Sequence, residues 1–262
     1  MTPHVLLEDR SREDGVVVLT LNRADVRNAI DDALLGALLD AVSSLAATPG
    51  GVPAVVLRGA GLAAFSAGMD LRERAGFSDE QLASQHERIV ALMTALTELP
   101  MPTIASVEGF CLAGGLELAL ACDLIVASRD AVFGLPETRI GIFPGGGAAR
   151  LLAWSVGAAR ARDLVLTGRR LSGSEAEAWG LVARVAEPGG AFAAALALAA
   201  DLAAAAPLGL REAKRAIRGA TGSLRDGQAA EDAMYESVAR SEDRREGFRA
   251  FVEKRPPRFT GR

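Results

Sequence analysis

The most chemically pointed residue in this 262-residue sequence is an acid in apolar company. Glu117 interrupts the run Leu112 to Ala121, where an ionised carboxylate is costly unless something pairs with it. Taken alone it reads equally as half of a structural salt bridge or as a reactive group with a shifted proton affinity. The segment before it, Gly109-Phe110-Cys111-Leu112-Ala113-Gly114-Gly115, leads from a strand into a helix. That puts Gly114 near the helix start, where N–H groups lack internal partners and can meet developing negative charge. A second loop, Phe65-Ser66-Ala67-Gly68-Met69-Asp70, joins small residues to a glycine, so a ligand could approach its main chain closely. A third, Phe133-Gly134-Leu135-Pro136-Glu137, sets another acid among apolar residues and runs on to Gly141-Ile142-Phe143-Pro144-Gly145-Gly146-Gly147 before a predicted helix. Each loop has a plain alternative: Gly-Gly at a helix start also allows tight packing, and Gly145 to Gly147 also shapes a turn.

The elements that must position these loops follow from hydrophobic spacing. Val16 to Leu21 is a continuous β-branched and apolar run, the pattern of a strand buried on both faces. Ile30, Leu34, Leu38, Val42 and Leu45 then recur at helical spacing, with Asp31 and Asp32 at the positive end of the dipole. Val55 to Leu57 is the next strand, Gly59 to Arg74 a loop, and Gln81 to Leu99 a helix ending before Pro100. Thr103 to Val107 and Leu124 to Ala127 are further strands on either side of a short helix at Gly114 to Cys122. This alternation predicts an α/β architecture with a parallel sheet covered on both sides. After about Ala191 the strand signal stops, and Leu208 to Gly219, Gln228 to Arg240 and Glu242 to Glu253 read as consecutive helices. The change in pattern places a boundary near Ala206-Pro207, separating a core at residues 1–206 from a helical region at 207–262. The alternative is that these helices pack on the same domain.

Composition narrows the functions open to such a chain. Half the residues are hydrophobic and the net charge is −4, with 29 cationic residues dispersed among 33 acids, so no patch for nucleic acid is expected. Residues 1–12 lack the apolar stretch of a secretory signal, which leaves the cytoplasm as the expected location. Ala191 to Ala206 is dominated by alanine, carries Asp201 and is too short to span a membrane. Cys111 and Cys122 form no close pair, and His4 and His86 are the only histidines, so neither a zinc cage nor a disulfide framework is expected. A Ser-His-Asp or Cys-His system would have to use His86, within a polar helical segment. Ala148-Ala149-Arg150 stands where a P-loop needs Lys-Ser or Lys-Thr, and no Gly-x-Gly-x-x-Gly turn follows the first strand.

Gly109 to Asp123 together with Phe133 to Gly141 resembles the signature of the crotonase superfamily, the enoyl-CoA hydratases and isomerases. The likeness extends over nearly the whole chain. Leu21-Asn22-Arg23 with Arg27-Asn28-Ala29 is similar to the family's opening motif, and Ala64 to Leu71 to its first oxyanion-hole loop. Gly168 to Ser172 through Ala178 to Val182 resembles the segment closing the core, and Ser241 to Asp243 with Glu246 to Arg255 the last helix. The resemblance implies a spiral of ββα turns, then a helical region that closes the pocket and mediates trimers or hexamers. It implies an acyl-CoA thioester as substrate, with no metal or redox cofactor.

Residue by residue, the backbone N–H groups of Ala67 and Gly114 match the two donors that hold the thioester oxygen, and Glu117 and Glu137 match the two catalytic glutamates of the hydratases. Ser66, Gly68, Met69 and Asp70 match the loop around the adenine and pantetheine, Arg27 falls near the phosphates, and Tyr235, Phe251 and Lys254 fall near the adenine end. Phe251 and Lys254 read equally as a packing residue and a solvated charge. The loop from Pro144 to Arg150 is one residue shorter than the commonest family pattern. The implied reaction is syn addition of water to a trans-2-enoyl-CoA, with Glu117 as base and Glu137 as proton donor. Two other readings stand beside it: an isomerase using one glutamate, and a non-catalytic acyl-CoA-binding or scaffold protein.

Overall fold

Two sheets carry the chain where hydrophobic alternation alone suggests one. The structure is a computed structural model and describes residues 6–9, 15–47, 52–205, 207–221 and 239–258. In chain order the strands are β1 (Leu6–Asp9), β2 (Val17–Leu21), β3 (Val55–Gly59), β4 (Ala64–Ser66), β5 (Thr103–Val107), β6 (Phe110–Leu112), β7 (Leu124–Ser128), β8 (Val132–Gly134), β9 (Arg170–Ser172) and β10 (Arg184–Ala186). The larger sheet has the order β1-β2-β3-β5-β7-β10 and the smaller β4-β6-β8-β9. Pairing is parallel except for β1 with β2 and β8 with β9. From β3 to β8 successive strands alternate between sheets, so β3-β4, β5-β6 and β7-β8 each form the ββ part of a ββα turn, as the resemblance implies.

The helices are α1 (Asp32–Ala47), α2 (Leu71–Arg74), α3 (Asp79–Glu98), α4 (Gly114–Leu120), α5 (Ala148–Val156), α6 (Ala158–Thr167), α7 (Gly173–Ala178), α8 (Ala191–Ala203), α9 (Pro207–Thr221) and α10 (Glu242–Val252). α1 buries Leu34, Leu38, Val42 and Leu45, the stripe that its spacing predicts, together with Leu35 and Ala41. One apolar cluster joins these side chains to α3, to the inner face of the large sheet and to α4. On the outer face, Val16, Val18, Val56, Ile104 and Val126 pack against Ala195, Leu198 and Ala199 of α8. The large sheet is therefore covered on both sides, and its strands are apolar throughout for that reason.

The expected loop from Gly59 to Arg74 contains β4 and α2 instead. Both are too short for a period to show in the sequence: α2 has four residues and is started by Asp70, whose carboxylate accepts from the N–H groups of Arg72 and Glu73. The last described helices are tied to the core. Lys214 of α9 donates to the Met101 carbonyl at 3.1 Å and pairs with Asp123 at 2.6 Å. α10 packs on the 3-10 turn Glu137–Ile140, where Gly247 leaves no room for a side chain against the Ile140 carbonyl. Tyr235, and the predicted helix from Gln228 apart from its final two residues, lie outside the described residues.

The opening motif turns out to be scaffold. Asn28, fully buried in the left-handed region at φ 53°, accepts from the Arg23 N–H at 3.0 Å and donates to the carbonyls of Ala60 at 3.1 Å and Ala64 at 2.8 Å. Asn28→Ala is expected to destabilise the fold by about 3 kcal/mol or more, from three lost hydrogen bonds and a positive φ that alanine tolerates less well. Chemical denaturation measures this, and a loss under about 1 kcal/mol would show that water replaces the amide.

Candidate functional site

The three glycine-bearing loops leave the C-terminal ends of three neighbouring parallel strands, β4, β6 and β8. Side-by-side strand ends bring segments far apart in sequence into contact. Gly68, at φ 93°, makes the contact between the first two: a Cβ there would lie 2.8 Å from Ala113 Cβ and 3.0 Å from Gly114 N. Behind them Gly115 faces Ser66, whose carbonyl would be 2.5 Å from an added Cβ.

This packing decides which N–H groups face the space between the loops. Ile30 pairs with Met69 as a parallel bridge, through Ile30 N–H to the Gly68 carbonyl and Asp70 N–H to the Ile30 carbonyl, each at 2.8 Å. In such a bridge the flanking residues supply the bonds, so Met69's own N–H points away from Ile30. It lies beside Gly114, where a Cβ would be 3.5 Å from Met69 N. Gly114 is the first residue of α4, one of the positions whose N–H has no acceptor within the helix.

The expectation for Ala67 is therefore corrected. Its N–H donates to the Arg27 carbonyl at 3.0 Å and is not available to a ligand; the donor beside Gly114 is Met69. Ser66 and Asp70 are likewise turned inward rather than toward a ligand. The Ser66 hydroxyl donates to the Asn28 carbonyl at 2.8 Å and accepts from Gly68 N–H at 3.1 Å. Asp70 caps α2 and pairs with Arg23 at 3.1 Å, while Arg23 also reaches Asp31 at 3.2 Å. Arg27 adopts φ 57° and lays its guanidinium 5.0 Å from the centre of the Phe110 ring. Phe251, 49% exposed, stands in the last turn of α10, and Lys254 lies two residues beyond that helix.

Both glutamates are buried. Glu117 projects from α4 and its Oε1 accepts from the Gly146 N–H at 2.7 Å. A Cβ on Gly146 would lie 2.9 Å from the carboxylate, so the triple glycine is what allows this close approach. Glu137 begins the 3-10 turn, which Gly141 terminates in the left-handed region and which Thr138 and Arg139 pin to the Val165 and Thr167 carbonyls. Its Oε2 is buried without a hydrogen-bond partner. Burial, and then the charge of Glu117, push the Glu137 carboxyl well above the ordinary carboxylate range, against a smaller opposing effect of Arg74. Glu117, in contrast, has a directed backbone donor on its Oε1.

Three contributors escape sequence reasoning: Met69 as a donor, Gly146 as the partner of Glu117, and Arg74, a buried arginine within the segment expected to be loop. Triple glycine is a visible signal for the second; nothing local marks the others. Cys111 and Cys122 are buried thiols, the latter pushed up to about 12 chiefly by burial, which disfavours thiolate nucleophiles. His86 is buried on α3 rather than on a polar face. Among the described residues there is no group of three or more His, Cys, Asp or Glu placed to hold a metal, and no helix long and apolar enough to cross a membrane.

Comparison with known proteins identifies the family and the fold. The family model described as enoyl-CoA hydratase/isomerase matches residues 11–262. The chain belongs to the enoyl-CoA hydratase/isomerase family, within the crotonase superfamily. It is 40% identical over 253 residues to the mouse enoyl-CoA hydratase domain-containing protein 2, mitochondrial, covering 95% of this chain and 85% of that one. It is also 40% identical over 260 residues to rat methylglutaconyl-CoA hydratase, mitochondrial, covering 97% and 82%. Among solved structures, a carnitinyl-CoA hydratase from Mycobacterium avium superposes with a TM-score of 0.89 at 36% identity over 100% of both chains. An enoyl-CoA hydratase from Bacillus anthracis gives 0.80 at 38% identity over 98% of this chain and 100% of that one. The fold is accordingly crotonase-type α/β.

The raised Glu137 carboxyl has a measurable consequence. Unfolded, the group loses its proton near its ordinary value of 4.5; folded, it keeps the proton to a higher pH, so wild-type stability declines as pH climbs between the two. Glu137→Gln removes that decline. Thermal unfolding across about pH 5 to about pH 9 is expected to show the variant gaining on wild type as pH increases; a pH-independent difference would mean that Glu137 is not raised.

Proposed function

We propose that the protein is an enoyl-CoA hydratase, adding water reversibly and syn across a trans-2-enoyl-CoA to give a 3-hydroxyacyl-CoA. The observation that carries this reading is the pair of buried carboxylates in unlike surroundings, one accepting from a backbone donor and the other with a buried oxygen that meets none. The N–H groups of Met69 and Gly114 receive the thioester oxygen. Glu117 takes a proton from water while the oxygen of that water bonds to C3. The displaced π electrons move through C2 and C1 onto the thioester oxygen, giving an enolate. Glu137 then delivers its proton to C2 as the carbonyl re-forms, and the proton held by Glu117 returns to Glu137 or solvent before the next turnover. Each fixed donor at the enolate oxygen is expected to contribute about 3 kcal/mol, because it needs no reorganisation as charge grows.

Every step uses side chains and backbone of this chain, so no metal or redox cofactor is called for; coenzyme A enters with the substrate. Trimers or hexamers and a cytoplasmic location complete the proposal.

Glu117→Gln and Glu137→Gln, assayed separately by loss of conjugated-thioester absorbance, are each expected to slow hydration by about 10²- to 10⁴-fold. Wild-type hydration by either variant would reject the two-carboxylate mechanism. Double-bond migration without hydration would favour an isomerase, and unchanged absorbance with wild-type protein would favour a binding role.

A further inference from the structure

The turn that carries Glu137 leans on a helix from the far end of the chain. Two glycines make the contact backbone on backbone. A Cβ on Gly247 of α10 would collide with the Ile140 carbonyl, and one on Gly141, which closes the turn at φ 75°, would collide with the Asp243 carbonyl. No side chain lies between them to absorb a shift, so a displacement of α10 is passed directly to the turn. α10 is itself held by a buried side chain of its first turn. The Arg244 guanidinium pairs through Nη2 with Asp79, the first residue of α3, at 2.6 Å and donates from Nε to the Ala239 carbonyl at 2.7 Å. It also lies 5.6 Å from the centre of the Phe248 ring, one turn along the helix. Arg245 reaches the same Asp79 from the surface at 3.1 Å. Because α3 follows α2 and the loop bearing the Met69 donor, this pair ties the segment behind one half of the site to the segment behind the other.

We propose that Arg244 is a positioning residue: its ion pair with Asp79 braces α10 against the start of α3, and α10 holds the turn of Glu137 at the depth that keeps that carboxyl out of water. The proposal rests on the hydratase reading only where Glu137 is called the proton donor; the brace itself stands on the contacts. A surface ion pair would hold little, but a guanidinium buried to this degree keeps its charge and is costly to leave without its partner. With the brace cut, α10 is freer to move and water reaches Glu137. Burial is the first cause of its raised carboxyl, so the proton is then held less firmly. The charges that act on Glu137, those of Glu117 and Arg74, stand on α4 and α2 and are not removed by cutting the brace.

Arg244→Met and Asp79→Asn cut the pair from its two ends, and Asp79 is half-exposed, so its charge can be removed without opening the core. Thermal unfolding from about pH 5 to about pH 9 reads the brace without turnover. The loss of stability with rising pH that Glu137 causes in wild type is expected to shrink by at least about half in either variant. In a Glu137→Gln background the same substitutions should add no pH dependence. Asp79 does not blur this window: its carboxyl lies below its ordinary 3.8, so the stability it contributes is complete above that value and lost only in more acid solution. With crotonyl-CoA, kcat for hydration should fall about tenfold in each variant while KM changes less than about twofold. Arg244→Lys, which keeps a cation on Asp79, should recover most of the loss. An arginine that served stability alone would lower it equally at every pH; that result, the lack of a decline in wild type, or wild-type kcat in either variant overturns the proposal. A weakened pH dependence in the variants, with no hydration by wild type, would reject the hydratase reading and leave the brace standing. Hydration by wild type, with the pH dependence intact in both variants, would do the reverse.

Discussion

Two strand ends can meet closely only if no side chain stands between them, and on that contact the site depends. Gly68 sits at a positive φ with Ala113 and Gly114 pressed against it, and Gly115 does the same service one residue further along against Ser66. With both positions bare, the Met69 N–H and the first N–H of α4 come side by side. Neither donor has a side chain to move or a rotamer to lose. Their direction is set by the bridge from Ile30 to the residues flanking Met69 and by the start of a helix. Preorganisation of this kind stabilises an enolate oxygen better than water can, because water must turn to meet the new charge.

Around that contact the polar residues divide into those that hold the loops and those that face the chemistry. Arg23, Asn28, Ser66 and Asp70 saturate one another and the nearby backbone, fixing the first loop from behind. Glu117 and Glu137 come from separate ββα turns and are kept unlike. One accepts a short hydrogen bond from the glycine-rich loop; the other has a buried oxygen with no donor and a charged neighbour. Burial and the charge of Glu117 together push the Glu137 carboxyl well above the ordinary range. On the proposed hydratase reading, base and acid are thereby drawn from two side chains of the same type.

The division between legible and hidden features follows the range of the forces involved. The α1 stripe and the both-face burial of β2, β3, β5 and β7 are local patterns and appear in the sequence directly. Glu117 and Glu137 stand out because acids in apolar runs are expensive. β4 and α2 are too short to show a period, and β6 and β9 are three residues each. Motif matching finds the loop Phe65–Asp70 but not which of its consecutive N–H groups faces inward. That choice falls on Met69 rather than Ala67 because Arg27 and Ile30, distant in sequence, claim the neighbouring groups. Ser66 and Asp70 look like ligand contacts for the same reason, since their real partners lie in the opening motif. Arg74 reads as one more surface charge until α10 is seen to cover it.

Polarisation of a thioester carbonyl by two main-chain donors is measured most directly by the infrared C=O stretch of a bound enoyl-CoA carrying 13C at C1. The stretch should move to lower frequency on binding, and Gly114→Pro, which removes one of the two N–H groups, should return it part of the way toward its free position. A carbonyl stretch unchanged between free and bound thioester would contradict the placement of the oxygen between Met69 and Gly114, and with it the site built around that pair.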